Sequence, residues 1–403
     1  MAVNRLNVGA TNQLLAKAST GQSTNILELQ NTAGVTVAGV DASGNPVGGL
    51  ARPPMFKNLI INGDMQVAQR GTSVTGITAG GYRTADRWVV DYVSAGTWTQ
   101  TVENDAPTGS GFRKSLKMLC TTADASPAAG DALGLLQVIE GQNLQQIAKG
   151  TSSAKELTFS FWVKANVTGT YIVELYDNNN TRAVSKSYTI NASATWEKKT
   201  ITFPADTTGA FNNDNAQSLY VTFQLMAGSN FTSGTLATSW ASITNANRAV
   251  GQVNLAASTN NYWQVTGVQL EIGSTATEFE FLPADVELAR CQRYYYRLFP
   301  AASSAILAFG GNHSTTSCRV ALYFPVEMRI APTAIEVTGT ASDYSVSSAG
   351  VNTIACNVVP AFNGGAVRFA TISGSVASGL TNNIPAILNT NSTAGYLGWS
   401  AEL

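Results

Sequence analysis

Charge is scarce in this sequence: Asp, Glu, Lys and Arg make up 12% of its 403 residues and almost cancel, leaving a formal net charge of −1. A surface so weakly charged has no field to gather a polyanion, so nucleic acid is not an expected partner. Histidine occurs once, as His313 in the polar run Gly310-Gly-Asn-His-Ser-Thr-Thr316, and no Gly-x-Ser-x-Gly elbow accompanies it. The glycine-rich stretches lie between strands rather than before helices, so a phosphate-cradling loop is not encoded either, and no enzyme is expected. The four cysteines, Cys120, Cys291, Cys318 and Cys356, lack any C-x-x-C spacing. They read as small core residues, not as a zinc site or a disulfide framework. Long apolar runs are missing too. No stretch reaches the ~18 residues of a membrane-crossing helix, and the opening residues lack a basic segment followed by an apolar one. A protein made in the cytoplasm without a signal peptide, and not inserted in a membrane, is the expectation.

Ser, Thr, Asn, Gln and Gly carry the polarity instead, as in extended β proteins whose surfaces present hydroxyls and amides. The length implies two or three domains, since single cores run to ~100–200 residues. Residues 25–47 read as two short strands, with Leu27 and Leu29 in one and Val35 and Val37 in the next. Asn31-Thr-Ala-Gly34 and Asp41-Ala-Ser-Gly-Asn45 punctuate them. So few apolar side chains cannot offset ~1–2 kcal/mol of backbone entropy per ordered residue. Residues 1–55 are therefore expected to order only against copies of themselves or another protein, as an N-terminal β-strand anchor or trimerisation segment. Gly48-Gly-Leu-Ala-Arg-Pro-Pro54 then reads as a linker, because Pro-Pro cannot continue a ladder.

From 56 to 283 apolar and polar residues alternate repeatedly. Leu157, Phe159, Phe161 and Val163 alternate with Thr158, Ser160, Trp162 and Lys164; Leu219, Val221, Phe223 and Leu225 alternate with Tyr220, Thr222, Gln224 and Met226. Further strands are expected at 87–93, 113–120, 170–176, 186–190, 197–203 and 263–272. The last carries a bulge at Gly267, where the apolar phase shifts, and Asp177-Asn-Asn-Asn180 reads as a turn. Short strands with no long helix between them point to an antiparallel sandwich of jelly-roll type. A short helix fits 141–149, closed by Gly150. After Pro283, Leu288, Cys291, Tyr295 and Leu298 stand at helical spacing, with Asp285 as the cap of a linking helix over 284–299. Residues 300–403 return to strands, Arg319–Phe324 and Ala366–Phe369 among them, with turns at Asn363-Gly-Gly365 and Ser373-Gly-Ser375. The fold class is all-β: the N-terminal strand segment, a central antiparallel jelly-roll sandwich, a short linking helix and a smaller C-terminal β-sandwich.

Several strings follow one another in order: Asn58-Leu-Ile-Ile-Asn-Gly-Asp64 running on to Gln69-Arg-Gly71, Ala85-Asp-Arg-Trp88, Val268-Gln-Leu-Glu-Ile-Gly273 with Ala276-Thr-Glu-Phe279, Cys291-Gln-Arg-Tyr-Tyr295, Met328-Arg-Ile-Ala-Pro-Thr333 and Ala401-Glu-Leu403. Together they resemble a family of bacteriophage tail-fibre and virion structural proteins, best over residues 58–403. The opening string and the Gln-Leu-Glu string also look like the first and last strands of carbohydrate-binding jelly rolls. The resemblance implies a virion protein, a homotrimer, that adheres to host surface polysaccharide or lipopolysaccharide and joins other tail or capsid proteins through its N-terminal segment. Two other readings stay open: a virion component without receptor function, such as a capsid decoration protein or tail connector, and a glycan-cleaving tailspike.

Sugar recognition calls for flat rings that stack on C–H groups, with amides and carboxylates for the hydroxyls. The strand phases put Trp98, Trp162, Tyr176 and Tyr220 on faces away from the core, with Asp177 in the adjoining polar turn; these are the candidate glycan contacts. Packing against a neighbouring subunit or the other sheet is the competing role for each ring. Asp86 and Arg87 read as a local pair pinning a strand end beside a buried Trp88, and Tyr294-Tyr-Tyr296 as a hydrophobic hinge. No cofactor is expected, although Asn62, Asp64 and Glu271, on the first and last strands of the jelly roll, offer the oxygens that a structural calcium takes.

Overall fold

The computed structural model of the protein describes residues 27–30, 36–40, 46–48, 56–348 and 351–403, and the chain divides into two compact units, Met1–Lys57 and Asn58–Leu403. In the first unit β1 (Leu27–Gln30), β2 (Thr36–Val40) and β3 (Pro46–Gly48) form an antiparallel sheet in that order. Leu27 stands opposite Val40, and Ala38 opposite Gly48. The third strand is one more than the sequence pattern implied. Val35 and the turns expected at 31–34 and 41–45 lie outside the described residues.

The second unit opens with thirteen strands that build a two-layer jelly roll: β4 (Ser73–Ile77), β5 (Gly81–Tyr82), β6 (Val89–Val93), β7 (Thr97–Glu103), β8 (Ser115–Thr122), β9 (Ala132–Glu140), β10 (Leu157–Ala165), β11 (Gly169–Asp177), β12 (Arg182–Ile190), β13 (Glu197–Phe203), β14 (Gln217–Ala227), β15 (Ala241–Ser242) and β16 (Tyr262–Ile272). A six-stranded sheet runs β13-β10-β16-β8-β7-β4 and a seven-stranded one β15-β12-β11-β14-β9-β6-β5. Their facing rows meet in one aromatic-rich core, where the Phe223 ring centroid lies 5.3 Å from Phe159, 4.9 Å from Phe161 and 5.0 Å from Trp263. Such ring pairs add ~0.5–1.5 kcal/mol each beyond their buried area. The bulge expected at Gly267 is present. Ser160 faces Gln269 while Trp162 faces Thr266, and Gly267 adopts φ 61° with Phe112 packed where a Cβ would be, 2.5 Å away. The helix expected at 141–149 is instead two 3-10 turns, Gly141–Asn143 and Gln145–Ile147, ended by Ala148 in the left-handed region. Three residues per turn is all that segment sustains before Lys149 turns inward.

A helix, α1 (Ala284–Gln292), follows. Pro283 occupies its N-cap position, so Asp285 lies in the first turn without capping it. The helical spacing ends at Gln292, because Tyr295 and Leu298 belong to β17 (Tyr295–Leu298). The remaining strands are β18 (Ile306–Asn312), β19 (Ser317–Tyr323), β20 (Tyr344–Ser348), β21 (Val351–Ala355), β22 (Val358–Ala366), β23 (Phe369–Ser375), β24 (Pro385–Thr390) and β25 (Leu397–Ser400). Seven of them form a sheet in the order β21-β20-β24-β18-β19-β23-β22, and β17 pairs with β25 in a separate ribbon. The C-terminal sandwich is lopsided. One layer is the broad sheet; the other is the ribbon and loops, with Trp399 packed on Tyr296 and Phe324. Two turns were misplaced. Asn363–Gly365 sits inside β22, where Gly364 (φ 117°) absorbs a register shift, and Ser373–Ser375 belongs to β23; the chain reverses at Val367 and Arg368.

The strings that carried the family resemblance meet at the seam between the two cores. Residues 58–63 pair with β16: Leu59 N–H donates to Leu270 O (2.9 Å), and Val268 N–H to Gly63 O (2.9 Å). Trp88 is buried as expected, but Asp86 and Arg87 are not each other's partners. Asp86 accepts hydrogen bonds from Gln69, whose amide also reaches Tyr295 O. Arg87 pairs with Glu402 and stacks at 3.5 Å on the Tyr294 ring, and Arg70 stacks at 3.5 Å on Tyr295 and pairs with the same Glu402. Arg329 of the Met-Arg-Ile string closes the seam by donating to the carbonyls of Ala401 and Glu402, at 2.7 Å each. The tyrosine triplet is thus a welded joint rather than a hinge, because Tyr294 and Tyr295 are buried and carry the two stacked guanidiniums.

Candidate functional site

The outer face of the jelly roll's seven-stranded sheet carries the candidate site. Cross-strand register sets three rows there. Tyr176 of β11 stands beside Tyr220 of β14, and Tyr220 beside Val138 of β9. Next come Glu174, Thr222, Leu136 and Val89, and then Gln224, Gly134 and Asp91. The period of two that sends Val173, Leu175, Val221 and Phe223 into the core sends these side chains outward. Tyr176 and Tyr220 meet edge to face with centroids 5.6 Å apart, both half-buried. Tyr220 is pinned from one side by its hydroxyl, which donates to Gln217.

Arg248 reaches the same face from the long loop after β14. It grips the fully buried Glu174 with both arms, Nε at 2.7 Å and Nη2 at 2.5 Å, a bidentate geometry that fixes the guanidinium plane. Its outer edge is left toward solvent. Asp91 is exposed, yet loss of solvation pushes its carboxyl above the ordinary range, with Arg248 pulling it back. Burial, then Tyr176 and Asp91, raises the Tyr220 hydroxyl. These mutual influences put Asp91, Arg248, Tyr176 and Tyr220 around one patch. Gly134 opens a notch in its floor, since a Cβ there would meet Thr222 Cγ2 at 3.1 Å and Asp91 Cβ at 3.8 Å.

The five expected sugar contacts are not brought together. Tyr176 and Tyr220 share the patch just described. Trp162 is half-buried on the outer face of the opposite, six-stranded sheet, beside Lys198 and Thr266. Trp98 is a correction: it is fully buried in the core, and its indole N–H donates to Ala95 O at 2.6 Å. Asp177 is a second correction. It is fully buried, its Oδ1 accepts from the N–H groups of Asn179 and Asn180, and its Oδ2 accepts from Lys149 Nζ at 2.6 Å. Lys149 also lies 3.0 Å from Asp206 Oδ2 and donates to Thr208 O and Gly209 O, at 2.9 and 2.8 Å. Two carboxylates and two carbonyls thus surround an ammonium, the kind of oxygen set that elsewhere holds a hard cation.

Asn62, Asp64 and Glu271 have separate surroundings. Glu271 accepts from Gln269 and from both the N–H and hydroxyl of Thr277. Asn62 braces the 62–67 loop against Asp86 O and Val67 O. Asp64 lines, with Glu287 and Leu288, a cavity of about 480 Å³, and burial followed by the nearby Glu287 raises its carboxyl to about 6. Among the described residues, no three His, Cys, Asp or Glu side chains gather as a metal-holding group. His313 is an exposed loop residue, and all four cysteines are buried and unpaired.

No family model and no curated protein matches the sequence. Among solved structures the chain is similar to the enzymatically active domain of tailspike protein 4 from bacteriophage CBA120, at 16% identity and a TM-score of 0.29, over 56% of this chain and 22% of that one. The chain thus spans about a fifth of that tailspike's length. It is also similar to a CBM4 structure (15% identity, TM-score 0.27, 52% of this chain and 97% of that one). A third is a family 11 carbohydrate-binding module from Clostridium thermocellum in complex with a mixed-linked tetrasaccharide (11% identity, TM-score 0.26, 51% and 98%). At such TM-scores the likeness bears no weight, and the fold and site rest on the geometry above.

Proposed function

We propose that the protein is a non-enzymatic adhesin of a bacteriophage tail fibre, a homotrimer that binds host surface polysaccharide or lipopolysaccharide through the outer face of its seven-stranded jelly-roll sheet. The observation that carries the sugar-binding reading is the Tyr176–Tyr220 pair beside an exposed Asp91 and an immobilised Arg248. A sugar ring stacks on the tyrosines, its hydroxyls donate to Asp91, and the free edge of Arg248 donates to ring or hydroxyl oxygens. Binding without cleavage fits the acids present. Hydrolysis takes two working carboxyl groups across the bond, whereas Glu174 and Glu140, the other acids on this face, are committed to Arg248 and Arg293. The tail-fibre setting and the trimer draw on the resemblance of residues 58–403, and trimeric display would raise a weak single-site affinity by multivalency.

Titration calorimetry of the intact protein with fragments of bacterial surface polysaccharide tests the proposal. Heat of binding that disappears in Tyr176→Ala/Tyr220→Ala, with an unchanged melting temperature, is expected. Equal binding by the double variant would remove the site, and release of reducing ends during the titration would replace the adhesin with a hydrolase.

A further inference from the structure

The seven strands of the C-terminal sheet contain a single charged residue, Arg319. One face of that sheet is closed: Val320, Ile372, Val346 and Leu388 belong to the core. On the opposite face Ser345 and Asn389 are covered, but the rows beside them are open. Phe309, opposite both Ala321 and Ile387, is 62% exposed; Tyr323, opposite Phe369, is 78% exposed. Ile306, opposite Asn389, and Val358, opposite Ser375, are 49% and 53% exposed elsewhere on that face. Soluble proteins guard sheet surfaces with charge, and a contiguous apolar surface of several hundred Å² marks an interface.

We propose that this face turns toward the axis of the trimer, where it packs against the same face of a second copy of the chain. The composition selects that occupant. Aliphatic groups such as Ile306, Ile387 and Val358 gain from dry protein packing and offer little to a sugar, and a face with one charge neither attracts an ionic partner nor repels its own copy. Arg319, level with Ser373 and Gly311, bounds on one side the cluster of Phe309, Ile387, Ala321, Tyr323 and Phe369. Extent agrees as well. Seven strands of five to nine residues, ~4.8 Å apart, cover roughly 700 Å² in plan, near the ~800 Å² that each partner gives to a stable interface. The inference deepens the assembly half of the proposed function, on which it rests, and is independent of sugar binding.

Hydroxyl-radical footprinting of the full chain over a concentration series, with light scattering on the same samples, is the test. The expected result is a multimer in which oxidation of Tyr323 and Phe309 falls severalfold as the mass rises, while Phe309→Asp/Tyr323→Asp weakens association without changing the far-ultraviolet spectrum. A multimer in which Tyr323 stays fully reactive would overturn the face and spare the oligomer. A monomer at every concentration would overturn both.

Discussion

Ile172, Glu174 and Ser185, on the outer face of the jelly roll's seven-stranded sheet, are fully buried, whereas Phe309 and Tyr323, on the outer face of the C-terminal sheet, are 62% and 78% exposed. A loop makes the difference. The chain after β14 roofs the jelly-roll face with polar ties: Ser185 N–H donates to Ala237 O, Gln252 accepts from Ile172 N–H, and Arg248 holds Glu174. It leaves open the patch around Tyr176 and Tyr220. The C-terminal sheet has the same number of strands and one charge, and it lies open over Phe309, Tyr323 and Phe369. An apolar group tied down by fixed polar groups suits a small polar ligand, while exposed aromatic and aliphatic side chains on an open sheet suit another protein surface.

Five substitutions break or sharpen that contrast. The largest effect belongs to Lys149→Met, which strands Asp177 in the interior and leaves Asp206 to Arg182 alone. A loss of about 3–5 kcal/mol in the jelly roll is expected, seen by calorimetry as an early transition that leaves the apolar C-terminal core melting where it did before. Concerted melting of both cores would show that the seam transmits the damage. Millimolar calcium should restore part of the loss in Lys149→Ser, since the oxygen set suits a hard cation.

Acid separates the seam from both faces. Burial lifts the Asp86 carboxyl from 3.8 to about 6, so the folded chain holds that proton more tightly than the unfolded one. The stabilisation is complete below pH ~4 and is lost as pH rises through 6, by roughly 3 kcal/mol for this group. Urea midpoints at pH 4.5 and 7 should therefore diverge more in the wild type than in Asp86→Asn. Equal divergence would mean that Asp86 titrates as an ordinary surface acid.

Arg248→Met tests the roof. Glu174 then loses its partner, and stability should drop by about 2–3 kcal/mol. Amide exchange should speed up at Ile172 and Ser185 but not in the C-terminal sheet; a uniform change would deny the loop its local role. The smallest effect is Tyr220→Ala, about tenfold in sugar affinity, which is ~1.4 kcal/mol, with no change in footprinting at Tyr323. Loss of assembly in that variant would merge two surfaces that the geometry keeps apart.

Much of the architecture is legible in the spacing of residues, and the failures have causes. The strand at 197–203 and the Gly267 bulge follow directly from alternation and its break. β9 escaped notice because nearly all of Ala132–Glu140 is buried on both faces, which erases the period of two. Trp98 was assigned the wrong face because Gln100, its neighbour in the buried phase, is polar; it accepts from Thr84 at 2.8 Å inside the core. Asp177 looked like a solvent-facing turn residue, and only the Lys149 side chain, far back in sequence, takes it inside. Tyr176 and Tyr220 were readable as outward rings. Asp91 could have been found by the same phase, as a carboxylate between Val90 and Tyr92, whereas Arg248 sits in a loop that no periodicity locates.

The seam also decides how the protein bears load. Asn58, the start of the second unit, enters beside β16, and α1 departs from the same corner, with Arg290 donating to Asn58 O at 3.3 Å. The segment carrying Glu402 docks there too. Tension arriving at Asn58 thus meets the hydrogen bonds to Leu270 and Val268 first. From that knot it divides between the two cores, so tension entering at Asn58 reaches the jelly roll and the C-terminal sheet by separate routes. The two cores behave as parallel springs on one clamp.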